Sequence, residues 1–387
     1  MFISNLGQRR PMRITRSEDH KAQAPRPAIQ VRSERRSKSG RMVDVFRWAG
    51  WHVHIIKTRF GLLMMTKKRE GLFPSRPTIY ICLILCSIIA ASGYKLRTQT
   101  IFACQASLYN SDRYLAYCNG THYGDYEHGA FWFDLEPSAQ TFAQNADVLF
   151  LGNSRLQIAF STAATADWFS AASARYYLLG FSGFENVIFA EELLRRIRPK
   201  AGVYVINVDD FFDRWVTPSA QAVMHDPDGR NRYEEKALWQ RVHERVCTKL
   251  PAFCGDDLVF FRSRETGAYT TRVGKQKVTP VSYDQVISQD LVNSSTAAAI
   301  DFLPHLPVER RCVILTTVPY HGTKIGNVKA VATALGEHLI PPEIPMLQTF
   351  DGGHLDQPSA EHWSQAFFRA ASSRIRSCLD ERGAAYP

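Results

Sequence analysis

Ser154 closes a short apolar run, Val148-Leu149-Phe150-Leu151, that stops at Gly152-Asn153-Ser154-Arg155. A serine hydroxyl is a poor nucleophile unless a base stands beside it. Far along the chain, Asp351-Gly352-Gly353-His354 places a carboxylate three residues before an imidazole, with two glycines between them. At that spacing Asp351 can fix the tautomer of His354 while the other ring nitrogen faces a serine. Serine, imidazole and carboxylate together are the parts of acyl transfer through a serine ester. The other histidines offer less. His321, in Val318-Pro319-Tyr320-His321-Gly322, follows a strand but has no carboxylate near it in sequence, and His122, His128, His225 and His243 lie in loops or polar helices.

The elements around these residues must hold them at one height. Asp147–Leu151 and Arg175–Leu179 read as strands, and Gly202–Val208 and Cys312–Val318 are nearly continuous apolar strands of the kind buried on both faces. Gly183–Arg198 reads as an amphipathic helix with Val187, Ala190, Leu194 and Ile197 on one stripe. Ser359–Leu379 reads as a last helix carrying Trp363, Phe367 and Ile375. This alternation indicates an α/β domain with a mainly parallel sheet. In doubly wound sheets, ligands bind outside the carboxyl ends of the strands, which is where Ser154 falls. Between these elements, residues 215–304 are less regular, with a polar helix around Glu234–Val246 and a hairpin over Gly267–Pro280. They are expected to form an insertion, a lid or substrate platform. Residues 95–140, rich in Tyr, Phe, Trp and Gly, are expected to wrap the domain, which would span 141–387.

The formal charge of +10 is concentrated at one end: residues 1–77 sum to +13 and the remaining 310 residues to −3. A basic arm can bind nucleic acid, but this one precedes Thr78–Gly93, a run without a charged residue. Extended to residue 94, that run sits near the lower limit for spanning a bilayer. Lys67, Lys68, Arg69 and Arg76 before it keep the amino side in the cytoplasm. Residues 78–94 therefore predict a single-pass anchor or signal in a bacterial inner membrane, with the carboxyl-terminal domain in the periplasm and no nucleic-acid partner. The first 64 residues, rich in Arg, Ser and Pro, predict disorder. A start at Met64 or Met65 would produce the ordinary layout of an export signal and is the expected one. Beyond the apolar run lie six cysteines, an even number that suits disulfides in an exported domain. Spacing suggests Cys104–Cys118, Cys247–Cys254 and Cys312–Cys378, out of 15 pairings open to six cysteines. No CxxC or HxxxH pair supports a metal site, and no metal or cofactor is expected.

Gly152-Asn153-Ser154 and Asp351-Gly-Gly-His354 resemble the first and last blocks of the SGNH (GDSL-type) hydrolase superfamily. His354-Leu355-Asp356-Gln357-Pro358-Ser359-Ala360 is similar to the family's turn into its final helix. Leu179-Gly180-Phe181-Ser182-Gly183, followed by Glu185, resembles the second block, and Val205–Phe212 falls where the third would lie. The resemblance implies a three-layer, flavodoxin-like parallel sheet flanked by helices, with Ser154 as nucleophile, His354 as base and Asp351 as its orienting carboxylate. It also implies an oxyanion hole. In the third block, Asn207 stands in place of a glycine and Asp209 in place of the donor asparagine, and a carboxylate donates nothing unless protonated. Either Asn207 supplies the donor, or the backbone of Ser154 with Gly180 or Gly183 forms the hole alone. Arg155 would bind a substrate carboxylate or stabilise developing charge, with Asp209 a second substrate contact. The activity implied is an anchored serine esterase or O-acyltransferase on envelope or extracellular polysaccharide. The alternative is a catalytically weakened domain that binds glycan or a partner in an envelope assembly.

Overall fold

A computed structural model describes residues 76–118, 121, 123–271, 278–340 and 343–385. The expectations for the basic arm, its disorder and the start at Met64 or Met65 lie outside the described residues. The chain divides into two units, Met1–Thr78 and Ile79–Pro387.

Four parallel strands form the central sheet, in the spatial order Tyr176–Phe181, Val148–Asn153, Val203–Asn207, Val313–Thr316. Numbered along the chain, that order is 2-1-3-4, so the connections turn from one direction to the other beside Val148–Asn153. All four strands are buried along their whole length, which is why their sequences are apolar runs and not alternations. Successive side chains still point to opposite faces. Leu149, Leu151, Tyr177, Leu179, Tyr204 and Ile206 join one core, whereas Val148, Phe150, Tyr176, Leu178, Val203 and Val205 join the other. Helix Val187–Ile197 covers the first face with Phe189, Leu193 and Ile197. Its most buried stripe is shifted from the expected one, since Ala190 and Leu194 are only partly buried. The last helix, Gln357–Ala385, covers the second face with Trp363, Phe367, Phe368 and Ile375.

The aromatic segment and the supposed insertion belong to one structure. Arg113–Cys118 pairs antiparallel with Gly124–Asp125 on one side and with Val259–Ser263 on the other, and Tyr269–Thr271 completes a second four-stranded sheet. The hairpin is therefore Val259–Ser263 with Tyr269–Thr271, displaced from the expected Gly267–Pro280. Thr279–Pro280 instead pairs with Gln348–Thr349, beside the Asp351 loop. Sequence spacing could not reveal partners so far apart. The two sheets are joined through Arg262, which is fully buried and donates to Glu127 (2.9 Å) and to the Leu178 carbonyl (2.5 Å). Glu127 also accepts from the Ser182 N–H at 2.8 Å and the Tyr269 hydroxyl at 2.5 Å. The turn after strand Tyr176–Phe181 is thereby held from beneath.

Three disulfides, Cys104–Cys118, Cys247–Cys254 and Cys312–Cys378, link the six cysteines in the pairs that spacing suggests. The helix Arg76–Gln99 includes a 21-residue stretch, Ile79–Gln99, long and apolar enough to cross a membrane, and none of its apolar window is buried in the protein. It runs five residues past the end of the charge-free run.

Candidate active site

Val148–Asn153 is followed without a loop by the short helix Ser154–Phe160. Asn153 makes this abrupt change tolerable: its backbone is still extended, and its side chain accepts the Arg155 N–H at 3.0 Å as an N-cap. Gly152 lets the elements close up. A Cβ there would lie 3.0 Å from the Cβ atoms of both Asn207 and Leu156. Ser154 is thus set at the carboxyl edge of the sheet, at the point where the strand connections change direction.

His354 reaches this edge from the other end of the chain. Its Nε2 lies 2.8 Å from the Ser154 hydroxyl, and its Nδ1 lies 2.7 Å from Asp351 Oδ2. The other Asp351 oxygen accepts the N–H groups of Gly353 and His354, each at 2.8 Å. Phe350 stacks on the imidazole with 5.7 Å between ring centroids. Partial burial works to raise the Asp351 carboxyl, but His354 and the two backbone donors outweigh it and hold it below the ordinary carboxylate range. A carboxylate that stays charged, a ring fixed by it and a hydroxyl on the far nitrogen make a proton path from serine to imidazole.

The oxyanion candidates separate clearly. The Gly180 N–H donates to Gln157 Oε1 at 3.1 Å, so it is not free to serve a ligand. Its lack of a side chain has another cause, since a Cβ would meet the Asn153 carbonyl at 2.7 Å. Gly183 lies just past the neighbouring strand, adopts φ +76, and has no acceptor for its N–H among the described residues. Ser154 contributes a first-turn N–H, which has no partner within the helix. Asn207 is fully buried; its Oδ1 accepts the Val318 N–H at 2.9 Å, while Nδ2 has no partner among the described residues.

Asp209 does not face the site as a donor. Its carboxylate contacts the Arg155 guanidinium, and its carbonyl accepts from Asn153 Nδ2 at 3.4 Å. Asp210 adds a second contact to Arg155 at 3.2 Å. Tyr320 lies under the guanidinium, 3.8 Å from its centre, and Phe184 lies 5.8 Å away. Burial, with Asp210 adding repulsion, pushes the Asp209 carboxyl up to about 7 against the pull of Arg155. Asp209 and Asp210 thus hold a cation beside Ser154. Sequence reading missed Gln157, Tyr320 and Asp210. Of these, Asp210 had a signal in its place within Val205–Phe212, and Tyr320 in its place a few residues beyond the fourth strand. His321 is tied to the Asp351 loop by its backbone, donating to the Gly352 carbonyl at 3.1 Å.

One cluster has the composition of a metal site, His243 with Cys247 and Cys254. It does not fit a metal, because the sulfurs are bonded to each other and both ring nitrogens have partners, Tyr109 and the Cys104 carbonyl, at 3.0 Å. In comparisons with known proteins, the chain matches no family model, no curated protein and no solved structure.

Proposed function

We propose that this chain is an SGNH-type serine esterase or O-acyltransferase, anchored by the helix Ile79–Gln99 and acting on envelope or extracellular polysaccharide. The observation that carries the reading is the unbroken path Asp351–His354–Ser154, with contacts of 2.7 and 2.8 Å. Ser154 attacks the acyl carbon of an ester while His354 takes its proton, and Asp351 stabilises the imidazolium. The alkoxide leaving group takes that proton back, and an acyl-serine remains. Water or a sugar hydroxyl, deprotonated by His354, then releases the acyl group as acid or as a new ester. The N–H groups of Ser154 and Gly183 are suited to the oxyanion, with Arg155 as a cationic neighbour in place of a third-block asparagine. The strand order 2-1-3-4 and helices on both faces support the SGNH-like fold.

A second reading is a catalytically weakened domain that binds glycan or an assembly partner, and Asp209 in the third block favours it. A serine-directed fluorophosphonate separates the two. The full chain should be labelled at Ser154, and Ser154→Ala should not be. A folded chain that takes up no label, and releases no acetate from p-nitrophenyl acetate, would favour the binding role.

A further inference from the structure

At the foot of the apolar helix the protein keeps a second set of features that the chemistry at Ser154 does not use. Phe102 lies three residues beyond Gln99, so it is within about 10 Å of the helix end. Phe253 packs on it at 5.3 Å and Trp239 at 6.5 Å between centroids. Around this aromatic trio the surface is apolar: Leu238 is 53% exposed, Trp239 43%, Leu250 62% and Phe253 36%. The turn that carries Leu250 and Phe253 is closed by Cys247–Cys254, while Cys104–Cys118 clamps the segment just after Phe102. A brace on a turn that presents two apolar side chains to solvent adds little to a core, but it holds a wedge in shape.

A cavity of about 340 Å³ opens in the same place, lined among others by Leu96, Phe102, Arg232, Glu235, Lys236 and Trp239, whose indole N–H donates to Glu235 at 3.3 Å. Leu96 belongs to the apolar helix itself. The helix Gly229–Lys249 that supplies the cations has six Lys/Arg against three Asp/Glu, whereas residues 78–387 as a whole sum to −3. Arg232 is held by Asp226 at 2.5 Å, and Lys236 donates to the Asp125 carbonyl at 3.4 Å. Tryptophan and exposed aliphatic groups settle at the boundary of headgroups and acyl chains, and cations beside them attract anionic lipid.

We infer that this face is seated on the bilayer that Ile79–Gln99 is able to cross. Trp239, Leu250 and Phe253 enter the headgroup boundary, and Arg232 and Lys236 meet the phosphate of an anionic phospholipid. Exposed apolar side chains directly beside a helix that can cross a membrane, and a local excess of cations on an otherwise acidic domain, both fit a lipid surface. The inference is independent of the reading at Ser154.

The test uses the full chain in nanodiscs of phosphatidylcholine with phosphatidylglycerol, with bromine on the acyl chains to quench tryptophan emission by contact. Wild-type emission should be quenched, and Trp239→Phe should lose a distinct part of that quenching. Leu250→Asp with Phe253→Asp should lose the same part while Trp239 remains, with near-ultraviolet circular dichroism checking that the fold is kept. Arg232→Gln with Lys236→Gln should abolish the increase in quenching on adding phosphatidylglycerol. Equal quenching of wild type and Trp239→Phe would overturn the inference. So would cross-links from position 250 to a second copy or another protein in place of lipid.

Discussion

Besides the surface pair His305–Glu191, two imidazole–carboxylate pairs, His354–Asp351 and His128–Glu185, lie at least partly buried, and only one has the geometry of a reaction centre. His354 is 23% exposed in its side chain, holds Asp351 at 2.7 Å and touches the Ser154 hydroxyl. His128 is sealed, 3.4 Å from Glu185, with no hydrogen bond to either ring nitrogen among the described residues. Glu185 is instead engaged by the Thr217 hydroxyl. Residue types alone do not distinguish the pairs. What distinguishes them is the third group: a hydroxyl on an open edge at Ser154, and an apolar wall of Phe181 and Phe189 at His128. The first arrangement can pass a proton to a substrate; the second can only hold the turn Ser182–Asn186 in place.

The sharpest way to break this comparison is to disable each pair in turn. Asp351→Asn should lower p-nitrophenyl acetate turnover by about 10⁴-fold, by letting the imidazole take the wrong tautomer. Glu185→Gln should leave turnover per folded molecule within about threefold, because Glu185 is buried outside the Asp351–His354–Ser154 path and glutamine keeps an acceptor for the Thr217 hydroxyl. Equal losses in both, measured on protein matched for fold, would remove the distinction.

Stability should show the reverse ranking. Glu127→Ala leaves the fully buried Arg262 without its carboxylate and should cost about 3–5 kcal/mol in urea unfolding. Ser154→Ala, on a partly exposed edge, should change stability by less than about 0.5 kcal/mol. An Arg262 that tolerates loss of Glu127 would mean the two sheets are joined by some other contact.

Asp209 sharpens the comparison at the site itself. If it holds Arg155 as a cationic partner of the oxyanion, Asp209→Asn should lower turnover, and Arg155→Ala should lower it further, by about 10²- to 10³-fold in all. A gain of activity in Asp209→Asn would instead mean that an asparagine donor is what the hole lacks. Steady-state rates on both variants decide between these outcomes.

The smallest effects are in the pH dependence of stability. Burial lowers the His128 imidazole, but Glu185 outweighs it and holds the ring above its ordinary value. That stabilisation is complete below about 6.5 and fades as pH rises through the folded value. Asp351 behaves oppositely, since its carboxyl is held down: its contribution is present above about 4 and fades as pH falls through the folded value. Thermal melts of His128→Gln should therefore lose sensitivity on the alkaline side, and those of Asp351→Asn on the acid side. Asp209, pushed up to about 7, adds a loss of stability as pH rises from about 4 to about 7, which Asp209→Asn should abolish.

Much of the frame could be read from local pattern. The four strands are apolar runs because each is buried on both faces, and such runs are visible in one dimension. The height of Ser154 follows from the run before it, and His354 and Asp351 are close in sequence as well as in space. The antiparallel sheet was not legible, since Tyr114 pairs with Arg262 across a gap that no periodicity spans. Nor was the role of Gly180, whose N–H goes to Gln157, a residue that helix periodicity marks only as polar.

By itself, then, the sequence determined which segments would be the parallel strands, where a serine and an imidazole would stand along them, and which cysteines lie close enough to close short loops. The tertiary structure alone decided that Arg155 is clasped by Asp209 and Asp210, that Glu127 meets Arg262, and that Phe102, Trp239 and Phe253 gather at the foot of the apolar helix. The reason is physical. Burial and period act on neighbours along the chain, whereas a side chain's hydrogen-bond partner depends on its direction and on segments that only folding brings together.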